Sequence, residues 1–179
     1  MTELQQTLME DDCFLPGFRR RPPEAAAAAH LSVSNSDDAE ALRNGIDRVF
    51  DGKENCWHAG EGDYAVYSFD APQKISAIRV TLDSDLQRDD KDNSHLNVEC
   101  SFPRQPHRIE ISPYLIQAFR VECVTSGGKT EVLYRSAHNF QRFHHVRVDA
   151  PDAVRLKLVI EKVRRPGTSR VFAFDFETA

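Results

Sequence analysis

The chain is 179 residues long, 40% hydrophobic and 28% charged, with a formal net charge of -5. That length holds one sizeable domain with an extension, and the composition is globular rather than disordered. The acidic balance argues against nucleic acid, and no window supplies the roughly 18 successive apolar residues that span a membrane as a helix.

Residues Thr2 to Glu10 carry Leu4 and Leu8 one helical turn apart, which predicts a short helix stopped by Pro16-Gly17. Two apolar positions give that helix nothing local to pack on, so residues 1–29 are expected to be a helical extension and linker, the tail of a preceding domain. Within it Arg19 to Pro23 reads as a polar linker and Ala25 to Ala29 as another helical turn. Leu31 and Val33 open the first strand of a domain spanning residues 30–179.

From there the apolar period is two. Tyr64 to Phe69 puts Ala65, Tyr67 and Phe69 on one face, and Ile78, Val80 and Leu82 alternate with Arg79 and Thr81. Phe119, Val121 and Cys123 form another stripe, and Gly127-Gly128 turns the chain into Val132 to Tyr134. Val146 and Val148, then Val154, Leu156, Leu158 and Ile160, continue the pattern, which Phe172, Phe174 and Phe176 close. Alternation without intervening helices predicts antiparallel sheets with one wet face each, two of them packed as an all-β sandwich. Asp83 to Ile116 is the exception, a long stretch without periodicity, and such loops are usually functional or mobile.

The stretch Ile46-Asp47-Arg48-Val49-Phe50-Asp51-Gly52, followed by Trp57 ahead of these strands, resembles the entry to the discoidin-like, or galactose-binding-like, jelly roll. That fold is more often a binding module than a catalyst. A finer resemblance rests on the order of several short segments. They are Leu4-Gln5-Gln6 with Asp11 to Gly17, Leu31 to Ser36, Val80-Thr81-Leu82-Asp83-Ser84-Asp85-Leu86, Ala118 to Glu122, Asn139 to Arg142, and Arg170-Val171-Phe172. In that order they resemble the C-terminal region of a family of bacterial FAD-dependent oxidoreductases. The resemblance implies a noncatalytic accessory domain with a flavin domain before it in the same polypeptide. FAD is implied for that parent alone, since Gly60-Glu61-Gly62 lacks the third glycine and following helix of a dinucleotide turn. The alternative is a self-sufficient carbohydrate-binding module.

Either reading places a ligand at loops on the sandwich end, with His58, Arg88, Tyr114, Asn139, Phe140 and Arg142 as the expected contacts. Trp57 is expected in the core. Asp47, Asp51 and Asn55 can supply oxygens for the calcium site that many discoidin-like relatives carry near this turn, although calcium needs six to eight of them. The alternative there is a turn whose Asp bonds its own backbone. His144 and His145, with His138 and His107, do not read as a metal cluster, because neighbours on a strand point to opposite faces. Asp83 and Asp85 are expected to cap a loop or pair with Arg88. No catalytic constellation emerges, and no Gly-x-Ser-x-Gly elbow is present. Cys13, Cys56, Cys100 and Cys123 are scattered without a Cys-x-x-Cys pair. With no signal-peptide pattern either, free thiols and a cytoplasmic location are the expectation.

Overall fold

Two strands of 19 and 20 residues organise the molecule. The structure, a computed structural model, describes residues 19–85 and 111–179. The expected N-terminal helix, Arg88, Cys13, Cys100, His107 and most of the long aperiodic stretch lie outside the described residues. The strands are β1 (His30–Val33), β2 (Trp57–Ala59), β3 (Tyr64–Leu82), β4 (Ala118–Thr125), β5 (Thr130–Ser136), β6 (Phe143–Lys162) and β7 (Ser169–Thr178). A five-residue helix, α1 (Glu24–Ala28), precedes them, and a 3-10 turn (Ala39–Arg43) follows β1.

Every pairing is antiparallel, and hydrogen bonds run through the order β2-β7-β3-β6-β4-β5, with β1 on β3. The path is continuous because β3 and β6 each belong to two layers. Residues 64–68 of β3 pair with β1 and with the second half of β6, while residues 75–82 pair with β7 and with the first half. Register breaks at Ser68/Gln73, Gln73/Ile75 and Ile75/Ala77 mark the corner, where Asp70, Ala71 and Pro72 are exposed. Such irregularities bend a strand and sharpen its twist. The result is an antiparallel β-sandwich of jelly-roll type, as the alternation predicts. The sequence pattern divides β3 and β6 into two strands apiece, and the structure joins them because the breaks in periodicity are corners.

Aromatic side chains close the space between layers. Tyr67 of β3 lies 5.4 Å from Phe174 and 5.1 Å from Phe176 of β7, and Phe69 lies 5.1 Å from Phe176. The Tyr67 hydroxyl donates to the Phe174 carbonyl at 2.8 Å, so its polar tip costs nothing on burial. Leu156, Leu158, Ile160, Val121 and Phe119 complete the core. Each fully buried side chain of this kind is worth about 1.5–3 kcal/mol.

The segment expected to be a polar linker is tied down instead. Arg20 forms an ion pair with Asp175 of β7, and its backbone N–H donates to the Gly45 carbonyl at 2.9 Å. Ala26 of α1 is fully buried in the core. Arg43 ends α1 by donating to the carbonyls of Ala26 and Ala29 at 2.6 and 2.7 Å.

Candidate functional site

The bends of β3 and β6 send their termini to one pole of the sandwich. Tyr64 faces Val159, Thr81 faces Phe143, Leu82 faces Val171, Ala118 faces Lys162 and Phe119 faces Ser136. Six connecting segments therefore meet there: 34–38, 54–63, 83–85, 111–117, 137–142 and 163–168. The opposite pole carries the corners themselves and the turn at Gly127-Gly128, where the Ser126 N–H donates to the Asp152 carbonyl at 3.0 Å. Of the expected contacts, His58, Tyr114, Asn139, Phe140 and Arg142 all sit on or beside the first pole's segments, but they do different things.

Tyr114 is half-buried, with the Arg165 guanidinium 3.7 Å and that of Arg170 6.0 Å from its ring centre. Arg170 donates to Asp83 at 2.7 Å. Asp83 also accepts from the Asp85 N–H at 2.7 Å, the loop cap expected of it. The alternative expectation, a pairing with Arg88, lies outside the described residues; Arg170, 87 residues away, reaches Asp83 because β7 runs beside the end of β3. Phe140 projects into solvent at 66% exposure, flanked by the Arg164 guanidinium 5.6 Å from its ring centre. Segment 163–168, which carries Arg164 and Arg165, helps form a concavity of about 430 Å³ lined by Glu61, Val163, Arg164, Arg165, Pro166 and Gly167.

Asn139 and Arg142 are internal. Asn139 is 1% exposed and donates its amide to the Ile116 carbonyl at 3.0 Å, while its backbone N–H donates to the Gln117 carbonyl at 2.8 Å. It therefore pins segment 137–142 to segment 111–117 and sets the positions of Phe140 and Tyr114. Arg142 donates to the carbonyls of Leu82 and Asp47 and lies over Phe172 at 5.2 Å, bracing the pole from beneath.

His58, half-buried on β2, faces Arg170 across the β2–β7 ladder. Its backbone N–H and its Nδ1 both approach Asp37, at 2.6 and 3.0 Å, and its Nε2 lies 3.1 Å from Glu54. Trp57 beside it is fully buried, as expected, and its indole N–H donates to Asn35 at 3.1 Å.

The three side chains expected at a calcium site have different surroundings. Asp47 is buried with Oδ2 2.8 Å from the Arg79 guanidinium, while its Oδ1 has no hydrogen-bond partner. Asn55 turns N–H groups, not oxygen, toward the Lys53 and Arg48 carbonyls at 3.1 and 3.3 Å. Asp51 stands exposed at a positive φ of 52°. These side chains alone present few free oxygens, against the six to eight that calcium takes.

Neither a family model nor a curated protein matches the sequence. Solved structures do match the fold. The family 32 carbohydrate-binding module of Streptococcus pneumoniae EndoD superimposes with a TM-score of 0.58 at 11% identity, covering 87% of this chain and 99% of its own. The family 32 module of Clostridium perfringens NanJ, solved with galactose, gives 0.53 at 12% identity over 85% and 95%. Chitosan-binding module 1 of a chitosanase/glucanase from Paenibacillus sp. IK-5 gives 0.53 at 11% identity over 86% and 97%. At such identities the likeness establishes the discoidin-like fold and nothing finer.

Proposed function

We propose that this domain is a noncatalytic carbohydrate-binding module whose ligand lies on the pole formed by segments 83–85, 111–117, 137–142 and 163–168. The observation that carries the reading is the pair of accessible aromatic rings, Tyr114 and Phe140, set beside Arg165 and the Asp83–Arg170 pair. A sugar offers an apolar C–H face and a rim of hydroxyls, so it needs a flat ring to stack on and fixed donors and acceptors at the edge. Tyr114 and Phe140 supply the first, and Arg164, Arg165, Arg170 and Asp83 the second. Arg165 and Arg170 lie over the half-buried Tyr114 ring, so the sugar would stack on whatever part of it they leave uncovered. Three solved modules of this fold support the reading, one carrying galactose and one described as chitosan-binding.

The test is a glycan array followed by an NMR titration with the best sugar. Saturable shifts are expected in residues 83–85, 111–117, 137–142 and 163–170. Tyr114→Ala and Phe140→Ala should each weaken binding about tenfold, a loss of about 1.4 kcal/mol. No saturable shift with any sugar at millimolar concentration rejects the reading.

Attachment to a flavin domain is a separate matter, supported by the order of the short motifs in the sequence. None of the three solved structures named above is described as part of a flavoenzyme. The coding region upstream of Met1 decides it: an in-frame Gly-x-Gly-x-x-Gly strand-turn-helix sustains the attachment, and a promoter with a stop codon removes it.

A further inference from the structure

We propose that Glu54, Cys56 and His58 form a site for a divalent cation of the zinc class, with Asp37 orienting the imidazole. Cys56 and His58 flank Trp57, which is buried in the core, and the turn at Asn55, whose φ is 49°, brings Glu54 beside them. Their donor atoms, one from each, lie within 4.8 Å of one another. His58 Nε2 is 3.1 Å from Glu54 Oε2 and 3.7 Å from Cys56 Sγ. Zinc bonds of about 2.0–2.3 Å at tetrahedral angles separate a nitrogen from an oxygen by roughly 3.3 Å and from a sulfur by roughly 3.6 Å, so these spacings are already those of a shared ion.

The hydrogen bonding favours an ion for a second, independent reason. Asp37 is an acceptor, so His58 Nδ1 carries the proton in the bond between them, and a neutral ring then turns the lone pair of Nε2 toward the Glu54 carboxylate. Two acceptors 3.1 Å apart repel unless a cation or a proton lies between them. A carboxylate on the far nitrogen is also the usual outer support of a metal-bound histidine, fixing tautomer and ring orientation. That support is itself held. Asn35 accepts from the Trp57 indole and from the Asp37 N–H, and donates to the His58 carbonyl at 2.8 Å. Segment 34–38 thus clamps β2 from one side, and the β7 ladder holds it from the other.

The donor set of one thiolate, one imidazole and one carboxylate suits zinc or its neighbours better than calcium or magnesium. Metal binding displaces the Cys56 thiol proton to solvent. Glu54 is mostly exposed, which leaves room for water as the fourth ligand.

Cobalt titration of the metal-free full chain tests this. One equivalent of Co2+ is expected to produce a thiolate-to-cobalt charge-transfer band that Zn2+ then abolishes. The band should vanish in Cys56→Ser and persist in Cys13→Ser and Cys100→Ser. Asp37→Asn should weaken affinity 10–100-fold, the usual effect of removing an outer support. Zn2+ at about a hundredfold excess over its Kd should raise the melting midpoint by roughly 5–10 °C. Should Cys56→Ser fail to fold without metal, His58→Asn, at a half-buried position, takes its place. Absence of the band in the wild-type chain, or a band that survives both substitutions, overturns the proposal; in that case a proton on Nε2 bridges Asp37 and Glu54. None of these readouts involves a sugar, so the site stands or falls apart from the carbohydrate reading.

Discussion

Asn139 and Phe140 are neighbours with opposite work. Asn139 is inside, and its carbonyl oxygen accepts from the Gln141 N–H at 2.9 Å and lies 3.0 Å from His144 Nε2. Cutting it back to alanine strands the Ile116 carbonyl and the groups that Asn139 receives, each costing about 1–3 kcal/mol when buried and unpaired. Asn139→Ala is therefore expected to lower stability by about 2 kcal/mol in denaturant melts. Phe140→Ala should leave stability within about 0.5 kcal/mol, because that ring is in water, and should act on sugar binding alone. Equal destabilisation by the two would contradict these roles. Sequence reading brings both residues to one end of the sandwich, since each follows a strand end. It cannot divide them, because an Asn that grips a backbone and one that grips a ligand need the same chemistry. Arg142 is indistinguishable from a ligand contact for the same reason. Arg165 and Arg170 escape notice because their setting depends on contacts across strands. Glu54, Cys56 and His58 escape notice as a group too, because the left-handed Asn55 between the first two hides their convergence from any strand period.

At the length of a strand or an arm, alternation is a faithful guide to which residues face inward and a poor one to where a strand ends. Leu156, Leu158 and Ile160 are fully buried, as their stripe demands, yet β6 continues back to Phe143 through a corner that breaks the pattern. Three-residue β2 and the 3-10 turn are too short for any period to register. The arm of residues 19–29 is invisible for another reason: its anchors are single contacts. One of them depends on Gly45, which has a φ of +80° and would place a Cβ 1.9 Å from the Arg20 carbonyl oxygen. Both backbones would have to part to admit a methyl group. Gly45→Ala is thus expected to cost at least about 2 kcal/mol and to expose the Arg19-Arg20-Arg21 run to trypsin. Gly52→Ala is the control, because its φ of +71° carries the conformational penalty but nothing lies within 4 Å of the added carbon. It should cost about 1 kcal/mol and leave the arm protected. Equal tryptic sensitivity in the two variants would show that the arm does not depend on this approach.

The two layers are held together by apolar side chains, and His144 is a titratable group set among them. His144 of β6 lies 4.9 Å from Phe119 of β4 and shares its Nδ1 with the Tyr134 hydroxyl of β5 at 3.1 Å. Its Nε2 faces the oxygens of Asn139 and Gln141 at 3.0 and 3.2 Å. The network assigns one tautomer, in which Nε2–H donates and Nδ1 accepts from Tyr134. A second proton would remove that acceptor and put a charge in the core, and burial accordingly holds the His144 pKa below its ordinary 6.5. Above 6.5 folded and unfolded chains carry the same neutral ring, and His144 makes stability independent of pH. Below 6.5 the unfolded chain takes up the proton first, so stability falls as pH falls, until the folded pKa is passed. One proton limits that slope to about 1.4 kcal/mol per pH unit. Urea melts from pH 8 to pH 5 should show the decline beginning near 6.5, and His144→Gln should be less stable at pH 8 but lose less on acidification. If the variant and the wild type fall in parallel, the acid sensitivity of the sandwich arises elsewhere and His144 is silent in it.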